Sequence, residues 1–244
     1  MGSSDLEHHD LTVSNFGFSA MGVGDLEASE YTLVTLACDA SPSVEGFKPQ
    51  MESCLKEILK ACRLSPRADN LMQRLLIFHH NLEEVHGFTP LKDLNPVDVD
   101  GCLVPGRLTA LSDATVNALE ALATYGKTLV DHDFDTNGIL IVVTDGLDNN
   151  STNTPKQAKE AIEKIRREEC LESLISILVG VNIQDPHVSH ELKKFKDDVG
   201  FTQYVELDNA NDRTLAKLAQ FVSKSVSSQS QSLGTGGPSQ TLEF

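Results

Sequence analysis

Ile139-Leu140-Ile141-Val142-Val143-Thr144, followed at once by Asp145-Gly146, is the stretch that decides the fold. It is apolar and rich in β-branched residues with no polar alternation, the pattern of a strand covered on both faces. Downstream, Pro155 opens a helical pattern carrying Ala158, Ala161, Ile162 and Ile165. A strand at Leu174–Gly180, a helix at His187–Val199, a strand at Thr202–Leu207 and a closing helix at Asp212–Ser225 follow. Upstream, Thr115–Leu129 places Val116, Leu119, Leu122 and Ala123 on one helical face. Before it, Tyr31–Cys38 reads as a buried strand, and Phe47, Met51, Leu55, Ile58, Leu59 and Cys62 follow helical spacing. Leu71–His80 and Glu83–Leu91 are close enough in sequence to pair as a hairpin across Asn81. Strand then helix, repeated, predicts an α/β fold: a doubly wound, mostly parallel sheet of six strands with helices on both faces.

The ends read differently. Residues 1–29 hold single hydrophobes (Phe16, Phe18, Met21, Val23) among Ser, Gly, Asp and Glu, and are expected to form an N-terminal arm. The folded domain is expected over 30–225. Residues 226–244 are dominated by Ser, Gln and Gly, which predicts a disordered tail dispensable for folding.

The 244 residues include 20 Lys+Arg against 36 Asp+Glu, a net charge of −16. Such a balance repels phosphate backbones and anionic headgroups, so nucleic-acid and membrane-surface partners are not expected. No apolar run approaches the length that spans a bilayer, and no basic start precedes an apolar stretch, so a cytoplasmic location is expected. Cys38, Cys54, Cys62, Cys102 and Cys170 are odd in number, lack a CxxC pair and stand in apolar contexts, as reduced core cysteines do.

In doubly wound sheets ligands bind beyond the carboxyl ends of the strands, where strand order reverses. Two such junctions carry hard oxygen donors. The first strand runs into Asp39-Ala-Ser41-Pro-Ser43, and the central strand into Asp145. Oxygen donors with few carboxylates suit Mg²⁺ or Mn²⁺. The bland alternative is that Ser41 and Ser43 only cap the following helix while Asp39 is solvated.

With these motifs the chain resembles the von Willebrand factor type A domains, also called integrin inserted domains. Their metal-ion-dependent adhesion site combines D-x-S-x-S, a Thr on a later loop and the Asp of a T-D-G turn. The resemblance covers roughly residues 30–225 and implies a metal set of Asp39, Ser41, Ser43, Thr109 and Asp145. The Thr loop departs from the usual G-G-T, reading Gly106-Arg107-Leu108-Thr109, while the following T-x-L-x-x-A pattern is intact. It further implies a protein-binding module whose Mg²⁺ or Mn²⁺ ion bridges to an Asp or Glu of a protein partner. Intracellular members often work in multi-subunit assemblies, in several cases beside ring-forming ATPases.

The rival reading is a metal-dependent hydrolase or phosphatase. No His or Lys stands next to the motifs to act as acid or base, and Cys38 is the one thiol there, so the expectation is no enzyme, with no catalytic residue assigned. Three other features carry less. Asp133-Phe-Asp-Thr-Asn-Gly138 matches the first half of a calcium loop but has Thr144 where the loop needs Glu, and reads as a turn. His79, His80 and His86 are expected at an edge or surface. Asp148-Asn149-Asn150 reads as a solvated acidic rim.

Overall fold

The computed structural model describes residues 6–244, and residues 1–5 of the expected arm lie outside it. Its centre is a pair of parallel strands, β3 (Glu30–Asp39) and β6 (Asp135–Thr144), in register from Glu30 opposite Asp135 to Cys38 opposite Val143. Almost every residue of both is buried, as the unbroken apolar runs require. From β3 the chain passes through α1 (Lys48–Arg63) to β4 (Leu71–Phe78), which lies on the other side of β3 from β6. The order therefore reverses between β3 and β6, and the two strands end side by side with Asp39 and Thr144-Asp145 at their tips.

Beyond β6 come β7 (Leu174–Val181) and β8 (Gln203–Leu207), both parallel. The helices α2 (Leu111–Val130), α3 (Pro155–Arg167) and α4 (Pro186–Val199) cover one face, and α1 and α5 (Asp212–Thr235) the other. Fully burying each Leu, Ile, Val or Phe of these two cores is worth about 1.5–3 kcal/mol. Among the described residues, no helix is long and apolar enough to cross a membrane.

The sheet has eight strands, not six. β5 (Leu82–Pro90) forms the expected antiparallel hairpin with β4, and the arm then adds β2 (Phe18–Met21) parallel to β5 and β1 (Leu6–His9) antiparallel to β2. Four-residue strands are too short to show a period, and they are fixed by anchors instead. Phe18 is buried edge-on against Phe88, and the Tyr125 hydroxyl donates to the Met21 carbonyl at 2.7 Å.

The expected disordered tail is also corrected at 226–235, where α5 continues to Thr235. Val226 and Leu233 extend the buried stripe of Leu215, Leu218 and Val222 at helical spacing. Gln229, fully buried in the same stripe, donates through Nε2 to the Ser173 hydroxyl at 2.9 Å and the Gly138 carbonyl at 3.3 Å. Composition averaged over the segment hid a spacing that carries the helix nearly three turns further.

Candidate metal centre

Asp39, the last residue of β3, is only 2% exposed. Its Oδ1 accepts from the Ser41 backbone N–H at 2.7 Å, and its Oδ2 accepts from the Thr144 hydroxyl at 2.6 Å, so β6 orients the carboxylate that β3 delivers. Ser41 is extended, and Pro42 opens a short 3-10 turn over Pro42–Phe47. Neither this turn nor α1 has a side-chain cap, so the serine hydroxyls are not spent on capping. Instead Ser43 Oγ donates to Asp145 Oδ1 at 2.8 Å, Ser41 Oγ lies 3.3 Å from the same oxygen, and the two hydroxyls are 3.0 Å apart.

Thr109 is 4% exposed and its hydroxyl makes no hydrogen bond to either carboxylate, but its backbone is held firmly. Asn149 Oδ1 accepts from the Thr109 N–H at 2.8 Å, and the Asn149 N–H donates to the Thr109 carbonyl at 3.0 Å. Three residues upstream, the Gly106 N–H donates to the carbonyl of Ala40 at 2.8 Å, tying the Thr loop to the residue between Asp39 and Ser41. A side chain at position 106 would put its Cβ 2.2 Å from Cγ of His79, so the loop can lie this close only with glycine there.

The structure thus joins Asp39, Ser41, Ser43 and Asp145 in one hydrogen-bonded cluster through Ser41, and seats Thr109 on the loop stitched to it. The Asp148-Asn149-Asn150 rim, expected to be solvated, holds positioning residues. Asp148 accepts from the Ser112 N–H at the start of α2 at 2.8 Å, and the Asn150 side chain donates to the His80 carbonyl at 3.1 Å. The Ala110 N–H donates to the His79 carbonyl at 2.8 Å. An acidic-amide triplet just past a strand-end Asp, with a helix start free to be capped, was the available signal.

Burial pushes the Asp39 carboxyl up to about 6; the neighbouring Asp145 adds to this, and the hydrogen bonds from Thr144 and Ser41 oppose it. Burial likewise raises Asp145, against the Ser43 and Ser41 hydroxyls. No basic side chain contributes to either carboxyl. Among the described residues no three His, Cys, Asp or Glu are gathered as metal ligands, and this set has only two carboxylates, its other members being hydroxyls. The donor chemistry fits a hard divalent cation: all oxygen, one buried and one half-buried acid, and no counter-charge from the protein.

The remaining sequence features resolve locally. Asp135–Gly138 lies inside β6, so the half calcium loop does not form. His79, expected at an edge or surface, is instead buried: its Nδ1 accepts from the Asn81 N–H at 2.9 Å and its Nε2 lies 3.1 Å from Glu83. The five cysteines are unpaired, and burial pushes Cys38 well above the ordinary thiol range.

The sequence matches no known family model and no curated protein. Solved structures resemble it in fold. The PilB minor pilin from Streptococcus sanguinis, as its D319A mutant, superposes with a TM-score of 0.61 at 11% identity over 88% of this chain and 65% of that one. The pilus adhesin SpaC from Lactobacillus rhamnosus GG gives 0.60 at 11% identity over 91% of this chain and 33% of that one. Proximal thread matrix protein 1 from the mussel byssus gives 0.54 at 17% identity over 83% of this chain and 47% of that one, and one of its structures is described with a zinc occupied MIDAS motif. The chain spans less than two thirds of each of these proteins. What they share with it at such identities is the α/β fold.

Proposed function

We propose that this chain is a von Willebrand factor type A-like protein-binding module whose Asp39, Ser41, Ser43, Thr109 and Asp145 hold one Mg²⁺ or Mn²⁺ ion. The observation that carries the reading is a buried Asp39 beside a half-buried Asp145 at the switch point of the sheet, with hydroxyls around them and no protein cation. When bound, the ion supplies a Lewis-acidic position at which a carboxylate oxygen of a partner protein is held. Asp39 and Asp145 neutralise it, Thr144 and the Ser41 N–H keep the Asp39 carboxylate aimed, and the serine hydroxyls add neutral donors. The zinc occupied MIDAS motif of the byssus protein shows that a fold of this kind accommodates a metal in that protein.

The rival hydrolase reading has less support. The Cys38 thiol is buried and held protonated, and His79 is engaged by Asn81 and Glu83. Five unpaired cysteines, four of them buried, accord with a reducing, cytoplasmic setting, and an assembly containing an ATPase is the kind of partner the resemblance implies. Titration calorimetry tests the reading: wild type takes up one Mg²⁺ per chain at pH 7.5 and Asp39→Ala takes up none. Equal uptake by both would remove these residues from the site.

A further inference from the structure

Between Gly106, bonded to the carbonyl of Ala40, and Thr109, clamped by Asn149, stand two residues that the fold leaves outside: Arg107 and Leu108. Both ends of this tip are tied to loops that carry the proposed metal ligands, so its position beside the site is fixed before any partner arrives. Arg107 is exposed and, among the described residues, forms no ion pair, while its backbone N–H alone reaches His80 at 3.4 Å. Leu108 is 41% exposed, and two residues before Gly106 Val104 is 56% exposed. Two large aliphatics held in water beside a binding site, with a cation between them in an acidic protein, have the composition of a contact surface.

We propose that the Arg107-Leu108 tip selects the partner segment: one whose metal-binding Asp or Glu is flanked within a few residues by a second carboxylate, met by Arg107, and by an aliphatic or aromatic side chain, covered by Leu108 and Val104. This rests on the metal-bridge reading above and deepens it. Two arguments favour such a segment. A second acid meets a chain of charge −16, and among the described residues Arg107 is a cation beside the ligand loops that forms no ion pair, whereas Lys48 at the start of α1 is paired with Glu52. An apolar neighbour removes Leu108 from water at little ordering cost, since the tip is already anchored at both ends.

The test is a library of peptides with a fixed central Asp and randomised flanks, selected on immobilised full-length protein in Mg²⁺ and again in chelator. Wild type in Mg²⁺ enriches peptides with a second acid and a Leu, Ile or Phe near the fixed Asp. For one such peptide, Arg107→Ala lowers affinity on the order of threefold and Leu108→Ser on the order of tenfold, whereas Asp145→Ala abolishes binding. Both tip side chains are exposed, so these variants keep the fold. If selected peptides need Mg²⁺ and Asp145 yet bind both tip variants unchanged, the inference is wrong and the metal bridge stands. Binding that survives chelator and Asp145→Ala overturns the metal bridge, and with it the inference. Failure to enrich any peptide overturns the tip as a reader of a linear segment.

Discussion

Two places in this molecule bury charge, and they solve the problem in opposite ways. On the arm side of the sheet Arg74, fully buried in β4, donates through Nε to Glu84 of β5 at 2.6 Å and through Nη2 to Asn117 of α2 at 2.9 Å. The other oxygen of Glu84 accepts from the Ser19 N–H of β2 at 2.9 Å, and Asn117 donates to the Ser14 hydroxyl at 3.0 Å. One α2 turn on, the buried Glu120 takes the Ser14 N–H at 2.8 Å. Arg74 and Glu84 are paired, Glu120 is held by hydroxyl and N–H donors of the arm, and the cluster fastens the arm to the sheet. At the strand ends the buried Asp39 and the half-buried Asp145 have only hydroxyl and backbone N–H partners. Arg74 and Glu84 compensate each other, though Arg74 Nη1 is left without a partner, whereas Asp39 and Asp145 are two neighbouring acids with no protein cation, the arrangement that accommodates an external one.

The largest expected effect breaks the first half of that contrast. Glu84→Ala leaves the Arg74 guanidinium buried without its anion, which costs about 3–5 kcal/mol. Urea denaturation should show the loss, and it should be the same with and without Mg²⁺. Replacing both partners, Arg74→Met with Glu84→Leu, should recover most of it, because paired charges are exchanged for apolar volume. A loss below about 1 kcal/mol in the single variant would mean that the pair is not desolvated as the structure has it.

The second prediction works on the other half. Folded Asp39 titrates near 6, against 3.8 for the ordinary group. Between those values the folded chain holds more protons than the unfolded one, so metal-free stability falls as pH rises from about 4 to about 6 and stays low above. Asp39→Asn should flatten that window and, without metal at pH 7.5, be more stable than wild type by up to about 3 kcal/mol. Mg²⁺ should raise the melting temperature of wild type at pH 7.5, do so less at pH 5, and leave the variant unmoved. Wild-type metal-free stability that rises across this window would contradict the uncompensated burial of Asp39.

The same contrast explains what was legible in the sequence. The four central strands and the D-x-S-x-S and T-D-G junctions announce themselves because apolar runs and strand-end oxygens are local patterns. The compensated cluster could not be read, since Arg74, Glu84, Asn117 and Glu120 come from three separate elements and each looks like an ordinary surface residue until β2 is placed. Burying an arm with so few hydrophobes depends on those long-range polar contacts. Likewise the roles of Asp148 and Asn149 depend on α2 starting at Leu111, four residues before the Thr115 start that periodicity predicts.

The smallest expected effect falls where the Thr109 loop meets the site. Asn149→Ala deletes the acceptor of the Thr109 N–H but keeps the backbone bond from the Asn149 N–H to the Thr109 carbonyl. The freed N–H belongs to a nearly buried residue, so leaving it unmade costs about 1 kcal/mol. Because Thr109 belongs to the proposed ligand set through a hydroxyl with no bond of its own to the carboxylates, loosening its backbone should weaken Mg²⁺ binding by about three- to tenfold. Asn149→Asp keeps the acceptor and should restore the affinity. Calorimetry beside thermal melts separates the possibilities: a lowered melting temperature with unchanged Mg²⁺ affinity would make the Asn149 clamp a purely structural tie and would remove Thr109 from the metal set, leaving the two aspartates and two serines.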